Sequence, residues 1–443
     1  MVAGTAVALA GGQATTDTEV AAADTTPPNV LFIVTDDQRL DGTMVMMPQT
    51  RQWFEQGGTF FPQAVATTPL CCPSRSGIFT GDYSHNTGVK TNRSATFLDP
   101  RFTLQRSLHD AGFFTGMFGK YLNEWSDLRG PPYIDRYSVF DSGYNSYRAN
   151  EQGTLKQINQ YSTNYIRDQA LAFLQESETN DSQPWFLYLA TYAPHLPAVP
   201  EAQYANAPIA DFVPNPATWE TDRSDKPPWV AFSRLDQNAT LSNRALQLRT
   251  LPSVDNMVES VMQWIQANGE SNTIAVFMSD NGYMWGEHML EQKNRPYIDS
   301  VRVPMYWRWP GHIAEGATDN RMVANIDMAP TALAATGVPP AAQMDGHNIL
   351  DNTRARNRML TEFEYQGDVP SWAGLLTQTS HYIENYRRGD VRSIAFREYY
   401  DLTSDPYEID NLLSDGNPAN DPSVASLSAQ MAEDRVCAGS NCP

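Results

Sequence analysis

Apolar positions along the chain alternate between two patterns. Short continuous runs occur at 29–34 (NVLFIV), 185–189 (WFLYL) and 274–278 (IAVFM), with a weaker one at 113–118 (FFTGMF). Runs of this length, apolar at every position, predict strands buried on both faces. Between them the spacing turns helical. Leu104 and Leu108 lie four apart in a segment that stops at Gly112, where a glycine ends a helix. Ile166, Ala170, Phe173 and Leu174 form one stripe, and Val254, Met257, Val258, Val261, Met262 and Ile265 form another. Strand followed by helix, repeated, predicts an α/β fold on a large, mostly parallel sheet flanked by helices. A last helix in 325–337 leads to a proline-rich link at Pro339 and Pro340. Beyond it the stretches 358–365, 373–388 and 394–405 alternate apolar and polar between turn signals, as antiparallel strands do. The predicted organisation is a flexible leader or signal remnant at 1–28, a catalytic domain at 29–344, and a smaller α+β subdomain with antiparallel strands at 345–443.

The chain has 443 residues and a formal net charge of −20, with 51 acidic against 31 basic side chains. That balance excludes nucleic-acid binding by bulk electrostatics. It leaves room for an anionic substrate in a local basic pocket. No apolar run reaches the roughly 20 residues of a spanning helix, so no membrane span is predicted. The first basic residue after Met1 is Arg39, so the Ala/Gly-rich start lacks the positive region of a secretory signal and reads as a leader or as the remnant of such a signal. Cys437 and Cys442 are spaced to close a small loop, a nudge toward a secreted or periplasmic protein over a cytoplasmic one.

Chemistry-bearing residues stand just past the predicted strands, where sheets of this kind bind ligands. Asp36 and Asp37 follow the first strand, Lys120 the second, His195 the third, and Asp280 with Asn281 the fourth. Taken singly, "TDD" and "SDN" read more readily as loop caps or Asx turns. Taken together, three carboxylates and an amide carry too much negative charge to share a site without a cation, and their hard oxygens suit Ca²⁺ or Mg²⁺. In "LCCPSRSGIFTG", Pro73 fits the first turn of a helix, which puts Cys71 and Cys72 at its N-terminus. A nucleophile or an anion is favoured there. A buried structural thiol is the competing reading of either cysteine.

Cys71-Cys72-Pro73-Ser74-Arg75 followed by "SGIFTG" resembles the C-x-P-S-R signature of the type I sulfatases of the alkaline phosphatase superfamily. "PNVLFIVTDDQRLD", "GKYLNEW", "APHLP", "FMSDNGYMWGEHMLEQKNRPY" and "REYYDLTSDPYEIDNL" resemble further motifs of that family, in the same order. The resemblance implies an alkaline phosphatase-like sheet and hydrolysis of sulfate monoesters, of aryl alcohols or carbohydrates. It also implies that Cys71 is converted by a formylglycine-generating enzyme to formylglycine, whose gem-diol is the nucleophile. Asp36, Asp37, Asp280, Asn281 and residue 71 would bind one divalent cation, usually Ca²⁺. His195 would protonate the leaving oxygen, Lys120 and Lys293 would hold the sulfate, and Arg75 would support the diol. The chain departs from many members two residues past Lys120, where Leu122 replaces a histidine. The "GKYLN" variant points toward members acting on N-acetylglucosamine 6-sulfate, with Asn123 a sulfate-binding candidate and His288 a weaker one for the elimination step. The insert at about 206–242 is expected to shape the leaving-group pocket. A phosphonate or phosphate ester hydrolase and an inactive glycan binder are the competing readings of the same scaffold.

Overall fold

The computed structural model describes residues 1, 2, 4, 26–125, 129–180 and 182–443. Most of the expected leader at 1–28 lies outside the described residues. The principal strands are β1 (Asn29–Thr35), β2 (Phe114–Gly119), β3 (Trp185–Ala190), β4 (Thr273–Ser279) and β5 (Met305–Arg308). They belong to a ten-stranded sheet in which β1 lies between β3 and β4, with β2 beyond β3. These four are parallel, and β5 joins β4 antiparallel. The register places Val30 beside Phe186 and Ile274, and Val34 beside Ala190 and Met278, so β1, β3 and β4 end level with one another. Short strands extend both edges of the sheet.

The apolar runs are continuous because both faces are covered. Val30, Phe32 and Val34 point to one side, against α1 (Cys71–Thr80), α2 (Leu104–Asp110) and α5 (Met328–Thr336). Leu31 and Ile33 point to the other, against α3 (Ser162–Ser177) and α4 (Gln237–Ala267). Both predicted helical stripes are fully buried there. α4 differs from the expected extent by starting at Gln237 and running through Pro252. Asp236 caps it by accepting from the amides of Asn238 and Ala239, and Leu248 and Leu251 continue its buried stripe across the proline. That burial offsets the roughly 3 kcal/mol of a proline in a helix interior.

Past the link, β6 (Met359–Phe363), β7 (Trp372–Leu376), β8 (Ser380–Arg387) and β9 (Asp390–Asp401) form a separate four-stranded antiparallel sheet. Met359, Leu360 and Leu375 share a core with Val65, Tyr83 and Ile326, so this sheet packs directly on the α/β layers. Cys437 and Cys442 are joined as a disulfide. Among the described residues no helix is long and apolar enough to cross a membrane.

Candidate active site

The level carboxyl ends of β1 to β4 bring the predicted residues together. The amide of Asp36 donates to the carbonyl of Ala193, that of Asp280 to Thr35, and that of Lys120 to Ala190, at 2.9 to 3.2 Å. These bonds lock the four loops to one another. Asp37 takes a left-handed φ of 68°, which aspartate tolerates better than most residues, and its amide donates to Asp280 Oδ1 at 3.2 Å. Opposite these loops, α1 starts at Cys71 and every residue of the helix is buried. Asn325 pins that start by accepting from the amide of Thr67 at 2.9 Å and donating to the carbonyl of Ser74 at 3.0 Å.

Cys71 Sγ lies 3.3 Å from Asp36 Oδ1 and 2.9 Å from Lys293 Nζ. Lys293 also reaches Asp37 Oδ1, and Lys120 reaches Asp36 Oδ2. Arg75, wholly buried, donates to Asp280 Oδ2 at 2.8 Å and to the carbonyl of Lys120 at 2.7 Å. His195 Nε2 stands 3.6 Å from Asp37 Oδ2 and is the most exposed member of the set, at 26%. Its Nδ1 donates to the carbonyl of Leu196, leaving Nε2 to face the cluster. All nine residues named for the site other than Asn123 therefore meet: Asp36, Asp37, Cys71, Arg75, Lys120, His195, Asp280, Asn281 and Lys293.

The charge balance corrects the argument made from the acidic loops alone. Three carboxylates face three permanent cations, Arg75, Lys120 and Lys293, so the chain itself neutralises them. Burial opposes charge on Asp36, but Lys120, His195, Lys293 and Arg75 outweigh it and hold that carboxyl well below the usual range. Burial and Asp36 push Asp280 up to about 6 against the pull of Arg75 and Lys120. Burial, with Asp36, also pushes the Cys71 thiol up to about 12. Burial and Lys293 lower His195.

The donor set nonetheless fits a hard divalent cation. Ligand atoms of Asp36, Asp37, Cys71 and His195 lie within 4.8 Å of one another. Asn281 donates its amide to Asp37 Oδ1 at 2.8 Å, while its Oδ1 is buried with no hydrogen-bond partner among the described residues. A buried, unpartnered amide oxygen beside carboxylates is what a Ca²⁺ or Mg²⁺ ligand looks like before the ion is counted.

Asn123 lines a cleft of about 550 Å³ with Asn92, Glu124 and Asp141, on the Cys72 side of the helix start, with its Oδ1 buried and unpartnered among the described residues. One expectation changes. His288 is buried in a hydrogen bond of 2.7 Å with Glu220 and packs on Tyr297, so it serves the structure. The insert at 206–242 packs through Trp219 and Glu220 on the loop Gly286–His288 and through Trp229 on the apolar cluster that contains Leu70. Two positioning tyrosines went unread. Tyr192 stacks on His195 with ring centres 4.8 Å apart, and Tyr144 donates to the carbonyl of His195 at 2.7 Å. Tyr192 sits in the same loop motif as His195, but nothing in the sequence singles out Tyr144.

The family model described as Sulfatase matches residues 28–338, and that described as N-sulphoglucosamine sulphohydrolase, C-terminal, matches 286–436. The chain is 36% identical over 350 residues to an extracellular sulfatase Sulf-1 homolog of Caenorhabditis elegans, spanning 73% of this chain and 48% of that protein. Against the N-acetylglucosamine-6-sulfatase of Homo sapiens it is 28% identical over 489 residues, spanning 95% and 87%. A solved structure described as in complex with its substrate D-glucosamine-2-N,6-O-disulfate shares the fold, with a TM-score of 0.78 at 22% identity over 92% of this chain and 96% of that one. The Sulfatase model covers more than two thirds of the chain and holds every residue of the cluster, so the chain belongs to the sulfatase family.

Proposed function

We propose that the protein hydrolyses sulfate monoesters of sulfated glycans, with residue 71 as the nucleophile-bearing position and residues 29–344 as the catalytic unit. The observation that carries the reading is the meeting of Cys71, at the first turn of a buried helix, with Asp36 and Lys293. The high pKa of the thiol argues against a thiolate nucleophile and favours a different use of this side chain. Members of the family generally use a formylglycine and a divalent cation. Here Asp36, Asp37, Asp280, Asn281 and residue 71 would hold the cation, Ca²⁺ or Mg²⁺. When present, the cation supplies Lewis acidity and the hydrated aldehyde a nucleophilic oxygen.

The chain's own residues supply the rest. Lys120 and Lys293 place two ammonium groups where sulfate oxygens would lie, in a water-poor site where fixed charges stabilise a transition state strongly. Arg75 fixes the orientation of Asp280 and of the Lys120 loop. His195, held by Tyr192 and Tyr144, presents Nε2 to hand a proton to the leaving alcohol oxygen. The glycan class follows from the relatives' names, and an extracytoplasmic location from the disulfide and the extracellular relative.

The test pairs mass spectrometry with kinetics. The tryptic peptide bearing Cys71, isolated from a host with a formylglycine-generating enzyme, should exchange one sulfur for one oxygen and lose two hydrogens. Turnover should favour aryl sulfate over aryl phosphate and phosphonate monoester, and Cys71→Ala should abolish it. A preference for the phosphonate, or glycan binding without turnover by fully modified protein, would replace this reading with one of its rivals.

A further inference from the structure

Two residues past Lys293 the chain carries a guanidinium that the fold leaves without an anion. Among the described residues Arg295 Nε is buried and has no hydrogen-bond partner, while the backbone amide of this residue donates to Ser300 Oγ at 3.1 Å. Among the described residues no carboxylate lies within 4.0 Å of it, as also holds for buried Arg244, whereas buried Arg39, Arg75 and Arg356 each meet one. Its charge rests over the Trp229 ring, 5.6 Å from the centroid. Burial brings its pKa down to about 10 even with Tyr297, Tyr283 and Asp368 nearby. The residue is half-buried, and a partly desolvated cation without a partner is costly to keep in an acidic chain where carboxylates are plentiful.

The surroundings share this lack of partners. Among the described residues the hydroxyl of Tyr283, a residue only 1% exposed, finds no hydrogen-bond partner, and neither does Asn294 Oδ1. Tyr283 feels the charges of Asp37, Lys293 and Arg295 together, so it lies within electrostatic reach of both the cluster and the guanidinium. The backbone also ties the two regions. The amide of Asn294 donates to the carbonyl of Pro69 at 3.2 Å, two residues before Cys71, and Trp229 packs on the apolar cluster that contains Leu70.

We propose that Arg295, with the Tyr283 hydroxyl as a second donor, binds a second oxyanion of the substrate, a sulfate or carboxylate on the same glycan as the scissile sulfate. The inference rests on the sulfatase reading and adds the substrate feature it selects. A guanidinium fork matches two oxygens of such a group at once, and Trp229 beneath it limits its motion. Asn294 Oδ1 is left to accept from a neighbouring sugar hydroxyl.

The experiment compares wild type, Arg295→Ala and Arg295→Lys on 6-O-sulfated N-acetylglucosamine, on glucosamine 2-N,6-O-disulfate, and on a 6-O-sulfated glucosamine linked to a uronate. In wild type, kcat/KM should be higher for a doubly anionic substrate. In Arg295→Ala that preference should fall roughly ten- to hundredfold, through KM and not kcat, as expected for one lost charged hydrogen-bonded pair. Arg295→Lys should recover part of it. Whether the disulfate or the uronate loses more identifies the oxyanion. Equal losses on all three substrates, or an unchanged preference, would overturn the proposal. Should the wild type turn over no sulfate, binding of the disulfate to Cys71→Ala protein is measured by calorimetry: affinity lost with Arg295→Ala sustains the subsite while the hydrolase reading fails, and affinity unchanged removes the subsite too.

Discussion

Arg75 is the residue whose removal tests the electrostatics of the site most directly. Its guanidinium is wholly buried, donates to the equally buried Asp280 at 2.8 Å, and faces Asp36 at 3.7 Å. Arg75→Met keeps much of the side-chain bulk and leaves both carboxylates without that cation. Breaking a buried pair by removing one partner costs about 3–5 kcal/mol. Unfolding a chain of 443 residues releases about 0.9 kcal/mol per kelvin near 60 °C, at roughly 2.1 cal/mol/K per residue, so the loss corresponds to a fall of about 3–5 °C in Tm. Scanning calorimetry in chelator, which keeps any divalent ion out of the balance, measures it. Adding Asp280→Asn should return at least half of the loss, since the double variant no longer buries the uncompensated carboxylate, giving a coupling of about 2 kcal/mol. A Tm within about 1 °C of wild type for Arg75→Met, or a double variant that falls by the sum of the two single changes, would refute the reasoning.

Saturating Ca²⁺ at about a thousand times its Kd should raise Tm by about 4 °C over chelated protein, and Asn281→Leu should erase most of that difference; identical melts with and without Ca²⁺ would remove the cation site. His195→Gln should slow alkyl sulfates by about 10²–10⁴-fold but 4-nitrophenyl sulfate by far less, because a good leaving group needs no proton; equal slowing would exclude proton transfer at Nε2. His85 and Glu362 form a hydrogen-bonded pair at 2.9 Å in which burial opposes charge on both partners and their contact overcomes it, raising His85 and lowering Glu362. A raised histidine contributes stability that is complete below its ordinary pKa and lost as pH rises through the folded value. His85→Gln should therefore destabilise most near pH 6 and progressively less toward pH 9 in thermal melts, and a penalty that grows with pH would contradict the pairing.

Much of the site was legible because a parallel sheet covered on both faces leaves a sharp trace. Each buried strand is a continuous apolar run, and the first polar residue after it stands at the ligand-binding end. Asp36, Lys120 and Asp280 could thus be placed at one edge of the sheet before knowing which strands were neighbours. The helix start at Cys71 was legible from Pro73 for a similarly local reason.

What escaped depends on contacts between segments far apart in the chain. The acidic loops gave an excess of negative charge only while Arg75, Lys120 and Lys293 were counted as separate motifs; in the fold they interleave with the carboxylates, and the need for a cation passes from charge to geometry, to the unpartnered oxygen of Asn281. Arg295 is a second such case. In the sequence it is one arginine in a polar loop, and only the fold reveals that the carboxylates of a strongly acidic protein stop short of it. Arg75, Lys120 and Lys293 each meet a carboxylate in the cluster, whereas Arg295, two residues past Lys293, meets none within 4.0 Å among the described residues, and that contrast is what sets it apart as the proposed oxyanion subsite.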